Sequence, residues 1–385
     1  MSVEKYVMNM PRTVYSGVNA LDNLTAVVKN AGKVAIFTDR GILATGLVDL
    51  PMAKIREAGK EVVVFSDLPP EPTYMQAQKL VDEFRQSGAD FIVAVGGGSA
   101  MDTAKLASLL VTDRYTIRDL LDDPMLGVKT VPTCLIPTTA GTGSEATQNA
   151  IVGVPEKELK IGIVNPSMIP DYVILDAEMI RNLPRKIAAA TGIDAMAHAI
   201  ECFTSNKANP FSDTFALEAF DLIMNNIEKA CDDPTAMEAK NNMQIAAFYG
   251  GAAIACSGTT AVHALSYPLG GKYHIAHGVS NAILLVPVME FNEPAIRERL
   301  AIAYDRVVHG EKECTTVEEK SAWVVRRMGE IVKHLDIPTS LKEFNVSPDD
   351  LDSLVEAGMQ VTRLLVNNMR EVTPDDARRI YQQVL

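Results

Sequence analysis

Cysteine is scarce in this chain. Cys134, Cys202, Cys231, Cys256 and Cys314 are scattered, odd in number and form no C-x-x-C pair. A disulfide framework needs a denser, even set in a shorter chain, so these residues read as reduced thiols. Basic clusters are missing too. Lys plus Arg total 36 against 49 for Asp plus Glu, a net charge of −13. That leaves no basic face to neutralise nucleic-acid phosphates and argues against docking on anionic membranes. No run of about 18 apolar residues suggests a membrane span. The N-terminal "MSVEKYVMNMPRTVYSG" has no long apolar stretch that would act as a signal peptide. Low-complexity runs are absent as well, which sets disorder aside. The expectation is a cytoplasmic globular protein with no nucleic-acid or membrane partner.

The 385 residues exceed the roughly 250–300 at which a single core stops growing. Two domains are therefore expected. Up to about residue 180, short β-rich runs alternate with amphipathic segments. "KVAIFTD", "EVVVFSDLPPEPT", "ADFIVAVGGGSAMDTAKLASLL", "TVPTCLIPTTAGTGSEAT" and "DYVILD" carry the strands, the third running through glycines straight into a helix and the fourth repeating that plan. "GLVDLPMAKIREAG" and "TYMQAQKLVDEFRQSG" have helical apolar spacing between them. Alternating strands and helices predict an α/β domain with a parallel sheet covered on both faces. Beyond it, long Ala/Met-rich segments with helical period predict an all-helical domain. The boundary is placed near Glu178–Leu183, giving domains 1–180 and 181–385.

Two glycine-rich loops stand out. "AVGGGSAMD" sets Gly96, Gly97, Gly98 and Ser99 between a buried strand and a helix. There the backbone can approach a ligand closely and the helix N–H groups suit a pyrophosphate. It is not the G-x-G-x-x-G fingerprint, since Met101 holds the third glycine position. "AGTGSEA" contains a G-x-G-x-x-A string (Gly141, Gly143, Ala146) amid the hydroxyls of Thr138, Thr139, Thr142 and Ser144, which can bond a cofactor ring or ribose. Either loop alone reads equally well as a tight turn. Two of them at the carboxyl ends of strands in one parallel sheet point to a nucleotide. Asp39 ends an upstream strand, where a carboxylate accepts bonds from a ribose 2′-hydroxyl and repels a 2′-phosphate, so NAD is expected ahead of NADP.

"TGIDAMAHAIECF" places Asp194 and His198 four residues apart, on one helix face and a turn from each other. Alone, such a pair is more often a capping carboxylate near a structural histidine. "VHALSYPLGGKYHIAHG" offers partners in His263, on a helix that Pro268 and Gly270–Gly271 are expected to end, and in His277, at the head of the next apolar helix. One carboxylate with three imidazoles suits iron(II), zinc, nickel or manganese.

Taken together, "GGGSAMDTAK", "PTTAGTGSE", "NPSMIPDYVILD", "GIDAMAHAIE" and "VHALSYPLG…HIAHG" resemble the iron-dependent (group III) alcohol dehydrogenase family over essentially the whole chain, near its lactaldehyde reductase-like and 1,3-propanediol dehydrogenase-like members. The resemblance implies an α/β nucleotide-binding domain followed by a helical metal-binding domain, with the active site in the cleft between them. It implies Asp194, His198, His263 and His277 as ligands of Fe2+, with Zn2+ or Mn2+ as alternatives. It implies Gly97, Gly98, Ser99 and Asp102 as pyrophosphate-loop residues, Thr138, Thr139, Thr142 and Ser144 as the second cofactor loop, and Lys160 near the nicotinamide ribose. Two departures matter. Tyr267 stands where many members have a further histidine, and Glu71 stands where many have the asparagine of P-N-P-T.

The activity implied is hydride transfer between nicotinamide and a small aldehyde or primary alcohol polarised by the metal. His274 and Tyr267 are the candidates for returning protons to solvent. A homodimer or higher homo-oligomer is expected. The alternatives are a glycerol-dehydrogenase-like zinc enzyme of the same superfamily, or a non-catalytic nucleotide-binding scaffold. For an anionic substrate, the cation considered is Lys207, with a solvated surface lysine as the plainer reading.

Overall fold

The structure is a computed structural model describing residues 5–157 and 159–385. The chain divides into two compact units. One spans Asn9–Leu183, and the other is Pro184–Leu385 with the short segment ending at Met8.

The first unit is built on strands β1 (Thr13–Ser16), β2 (Lys33–Phe37), β3 (Glu61–Phe65), β4 (Phe91–Gly96), β5 (Thr133–Pro137), β6 (Asn149–Val154), β7 (Leu159–Val164) and β8 (Tyr172–Leu175). Six of them form a parallel sheet in the order β1-β8-β5-β4-β2-β3. Alternate residues of the central strands enter separate apolar layers. Ala35, Phe37, Ile92, Ala94 and Leu135 face one layer. Val34, Ile36, Val93, Val95, Cys134 and Ile136 face the other. A sheet buried on both faces explains why these strands read as continuous apolar runs rather than as alternating ones. The helices are α1 (Leu24–Val27), α2 (Arg40–Ala44), α3 (Asp49–Glu57), α4 (Tyr74–Ser87), α5 (Gly98–Leu109) and α6 (Ile117–Asp122). From β2 the chain moves outward to β3, then returns to lay β4 on the other side of β2. The carboxyl ends of β2 and β4 therefore flank the point where strand order reverses, which is where ligands bind in such sheets.

Two expectations for this unit need correction. No helix follows β5: only the 3₁₀ turn Ser144–Ala146 forms, and the antiparallel pair β6–β7 comes next. The cause is the grip of α5 on this segment. Asp102 Oδ2 accepts from Ile151 N at 2.8 Å, and the buried Lys105 ammonium donates to the carbonyls of Ser144 (3.0 Å) and Asn149. Those backbone groups are thereby committed outside any helix of their own. β1 is the other addition to the expected strands, since a four-residue edge strand is too short to show a period.

The second unit is helical: α7 (Arg185–Phe203), α8 (Pro210–Asp232), α9 (Met237–Cys256), α10 (Ala261–Tyr273), α11 (His277–Val307), α12 (Val317–His334), α13 (Leu351–Met359), α14 (Thr362–Leu365) and α15 (Pro374–Val384). α7 is buried continuously from Gly192 to Phe203. Its small residues let neighbours close in: a Cβ at Gly192 would lie 2.8 Å from Ile227 of α8. α10 does not stop at Pro268. It runs on to Tyr273 and ends at His274, whose φ of 55° is left-handed. Proline removes one N–H but leaves the helix standing where tertiary contacts hold it. This helix is buried, and the Tyr381 hydroxyl donates to the Leu265 carbonyl at 2.6 Å. Among the described residues no single helix is long and apolar enough to cross a membrane.

Candidate metal centre and cofactor loops

α7 carries Asp194 and His198 on one face, α10 carries His263 and α11 opens with His277. One donor atom from each lies within 4.8 Å of the others. Asp194 Oδ1 is 3.8 Å from His198 Nε2, 3.6 Å from His263 Nε2 and 3.5 Å from His277 Nε2. A tetrahedron with bonds of about 2.1 Å has edges of roughly 3.4 Å, so this spacing needs little adjustment to take one ion. The close approach of α11 to α7 depends on Gly278, where a Cβ would lie only 2.2 Å from the Ala190 carbonyl oxygen.

The protonation pattern fits a metal. The His263 Nδ1 bonds to a Glu201 carboxylate oxygen. A carboxylate only accepts, so Nδ1 carries the proton and Nε2 turns its lone pair to the cluster. Burial alone would raise the Asp194 carboxyl, yet the surrounding imidazoles hold it well below the usual carboxylate range. Burial lowers the His263 pKa, but Glu201 and Asp194 together bring it up to about 9. A concentration of charge this buried has few fates other than protonation or a cation. Three of the side chains are almost fully covered, whereas His277 is 32% exposed, so the cluster opens on that side.

Sequence reasoning missed two neighbours. Glu201 is fully buried and accepts from Thr260 N (3.0 Å), Thr260 Oγ1 (2.7 Å) and Val262 N (2.8 Å) besides His263. It fixes the start of α10 and the rotation of the His263 ring together. Asn281 donates to Asp194 Oδ1 at 2.7 Å, and its amide nitrogen is 3.1 Å from His263 Nε2 and 3.3 Å from His277 Nε2. Its Oδ1 is buried without a hydrogen-bond partner. Both had a signal: Glu201 is one turn beyond His198, and Asn281 one turn beyond His277. Glu201→Gln leaves the side chain's volume but removes the obligate acceptor. Metal retention against a competing chelator should fall about 10- to 100-fold, measured by metal analysis after dialysis.

Of the other histidines, His274 is exposed and forms the left-handed C-cap of α10. The Tyr267 ring lies 6.1 Å from that of His277. Lys207 is exposed in the turn after α7, where its amide donates to Ser205 Oγ.

In the first unit the glycine loop joins β4 to α5. Gly97 is the N-cap residue of α5 and no side chain caps that helix, so its first N–H groups remain available to an anion. The loop cannot thicken: a Cβ on Gly96 would sit 2.7 Å from the Ala100 Cβ, and one on Gly98 3.1 Å from Thr142. Thr139 lies 3.8 Å from the corresponding point on Gly97. The Thr138 hydroxyl is buried without a partner. Asp102 accepts from Ser144 Oγ at 2.5 Å and pairs with Lys105, so Asp102 and Ser144 tie the two loops to each other. Ser99 Oγ accepts from Glu71 N at 3.1 Å. Glu71 also binds Lys160, Nζ to Oε1 2.7 Å, and holds a φ of 51°.

Asp39 follows β2 and caps α2, its Oδ1 accepting from Ile42 N at 2.9 Å. It borders a cavity of about 510 Å³ whose lining includes Arg40, Asp67, Gln76 and Lys79. Asp67 bridges the two cations, at 2.6 Å to Arg40 and 2.5 Å to Lys79.

The family and the fold both have counterparts among known proteins. The model of the "Iron-containing alcohol dehydrogenase" family matches residues 11–177, and that of the "Fe-containing alcohol dehydrogenase family, C-terminal" matches residues 188–385. Long-chain-alcohol dehydrogenase 1 of Geobacillus thermodenitrificans is 34% identical, covering 99% of this chain and 97% of that protein. Lactaldehyde reductase of Escherichia coli is 31% identical, covering 97% and 98%. The crystal structure of sulfoacetaldehyde reductase from Bifidobacterium kashiwanohense in complex with NAD+ superposes with a TM-score of 0.88 at 26% identity, covering 99% of each chain. With both halves matched in order and the two-unit architecture in common, the chain belongs to the iron-containing alcohol dehydrogenase family.

Proposed function

We propose that the protein interconverts small aldehydes and primary alcohols with NAD(H), using a divalent metal held by Asp194, His198, His263 and His277. The convergence of these four donors within 4.8 Å, from three helices, is the observation that carries this reading. Imidazole and carboxylate donors without thiolate suit Fe2+, and Zn2+ or Mn2+ as substitutes. Such an ion supplies a Lewis acid to the alcohol or carbonyl oxygen, and the nicotinamide gives or takes the hydride.

The chain's own residues do the rest. Glu201 fixes the tautomer and angle of His263, and Asn281 steadies the Asp194 carboxylate. Gly97, Gly98 and Ser99 offer backbone N–H groups to a pyrophosphate, while Asp102 and Ser144 keep the two loops in register. Thr138, Thr139 and Thr142 supply hydroxyls to the nicotinamide end, and Asp39 accepts from the adenine-side ribose. Residues 1–180 bind the dinucleotide, and residues 181–385 hold the metal and the substrate. Tyr267, whose ring lies beside that of His277, is the better placed of the two proton-relay candidates, since His274 is exposed at the C-terminus of α10. A homo-oligomer in the cytoplasm completes the proposal. The test is oxidation of NADH with short aldehydes by metal-loaded enzyme. A protein that binds metal at Asp194 and His198 yet transfers hydride to no aldehyde contradicts it.

The Glu71–Lys160 pair modifies this scheme. Where many relatives carry asparagine, Glu71 draws the Lys160 ammonium to itself and away from a ribose. Asparagine also tolerates a left-handed backbone better than glutamate. Glu71→Asn is expected to tighten NADH binding by about twofold to fivefold, read by fluorescence titration. Unchanged affinity would separate Lys160 from the ribose.

A further inference from the structure

The open side of the donor cluster carries a cation that no carboxylate satisfies. Tyr267 lies one turn beyond His263 on α10, with its ring 6.1 Å from that of His277, the most exposed of the four. Arg363, on α14, donates from Nη2 to the Tyr267 hydroxyl oxygen at 3.4 Å. The two residues are 96 positions apart, so the contact is made by the fold. On a chain with a net charge of −13, most arginines find acidic partners, as Arg299 does in Asp213 and Arg327 in Glu228. Arg363 is in no ion pair among the described residues, and it is exposed. The buried carboxylates of the cluster, Asp194 and Glu201, are already engaged by the histidines.

We propose that Arg363 and Tyr267 form an anion-recognising end of the substrate site, so that the preferred substrates are short aldehydes or alcohols bearing an anionic oxyacid group remote from the reacting carbon. This rests on the reading that the Asp194–histidine cluster holds the reacting oxygen. The guanidinium fork presents several N–H donors in one plane and matches the oxygens of a carboxylate, sulfonate or phosphonate. The Tyr267 oxygen accepts from Arg363, which leaves its own proton to donate to the same anion. A histidine at this position would add a second titrating cation beside the ligands, whereas the tyrosine adds a neutral donor.

The test compares aldehydes of similar length with the full-length, metal-loaded enzyme and NADH: propanal and butanal against succinate semialdehyde, sulfoacetaldehyde and phosphonoacetaldehyde. The wild type should favour at least one anionic class over the neutral aldehydes in kcat/KM, and the three anionic arms identify which oxyacid. In Arg363→Ala the anionic-to-neutral ratio should fall roughly 10- to 100-fold, mainly through KM, as expected for a lost hydrogen-bonded charge. Arg363→Lys should recover part of the ratio, and Tyr267→Phe should lower it by less. A second readout needs no turnover. Saturation-transfer NMR of propanoate, without cofactor, should show binding to the wild type that Arg363→Ala loses. A ratio unmoved by Arg363→Ala, or a wild type that favours the neutral aldehydes, overturns the subsite alone. No turnover of any aldehyde overturns the dehydrogenase reading and the subsite with it.

Discussion

His263→Ala should lose its bound metal and, with it, at least about a thousandfold in aldehyde reduction, while NADH binding to the intact protein persists. The size follows from removing a Lewis acid worth several kcal/mol at the reacting oxygen. His263 is the ligand with the least alternative. It is buried, its Nε2 lies 3.6 Å from Asp194 Oδ1, and its other nitrogen is fixed by Glu201. Its ring also stacks on that of His198 at 4.6 Å between centroids, so truncation loosens a second ligand. Folding should survive, because Glu201 keeps its bonds from Thr260 and Val262. Metal content, NADH fluorescence and turnover measured on one preparation separate loss of metal from loss of structure. Full metal and full turnover in the variant would remove His263 from the ligand set.

Asp39→Gly should raise the preference for NADPH over NADH by at least about tenfold. The wild-type carboxylate stands two residues past the end of β2 beside the cavity, and the proposed role is to accept from a 2′-hydroxyl and repel a 2′-phosphate. Its removal leaves Arg40 and Lys79, two exposed cations that Asp67 holds together, in the lining of the same cavity. Glycine costs α2 only a few tenths of a kcal/mol as a replacement cap, so the cofactor effect should not be masked by unfolding. Dissociation constants for both reduced cofactors, obtained by fluorescence, give the answer. An unchanged ratio would place Asp39 away from the ribose.

Much of this is legible in the sequence for local reasons. β2, β4 and the glycine turn into α5 are readable because buried parallel strands are unbroken apolar runs and the turn must be glycine. Asp194 and His198 are readable because one helical turn separates them. The rest is set by distant contacts. The segment after β5 has the pattern of a second strand-to-helix unit, but Asp102 and Lys105 hold it from α5 in another conformation. Pro268 has the mark of a helix end, yet the Tyr381 hydroxyl bonded to Leu265 is supplied from α15, 116 residues away. Glu201 and Asn281 carry a helical-spacing signal that is specific only once the ligands beside them are in place. Arg363 carries none, because nothing local in α14 points to Tyr267.

The most direct measurement is metal reconstitution. The enzyme is stripped with a chelator, titrated with Fe2+, Zn2+ or Mn2+, and followed by NADH oxidation with a short aldehyde. Activity should be absent from the stripped protein and rise to a plateau at one equivalent of ion per chain, with no such rise in His263→Ala. Stripped protein that reduces aldehydes as fast as the reconstituted enzyme would contradict the role of Asp194, His198, His263 and His277 as ligands of a catalytic metal.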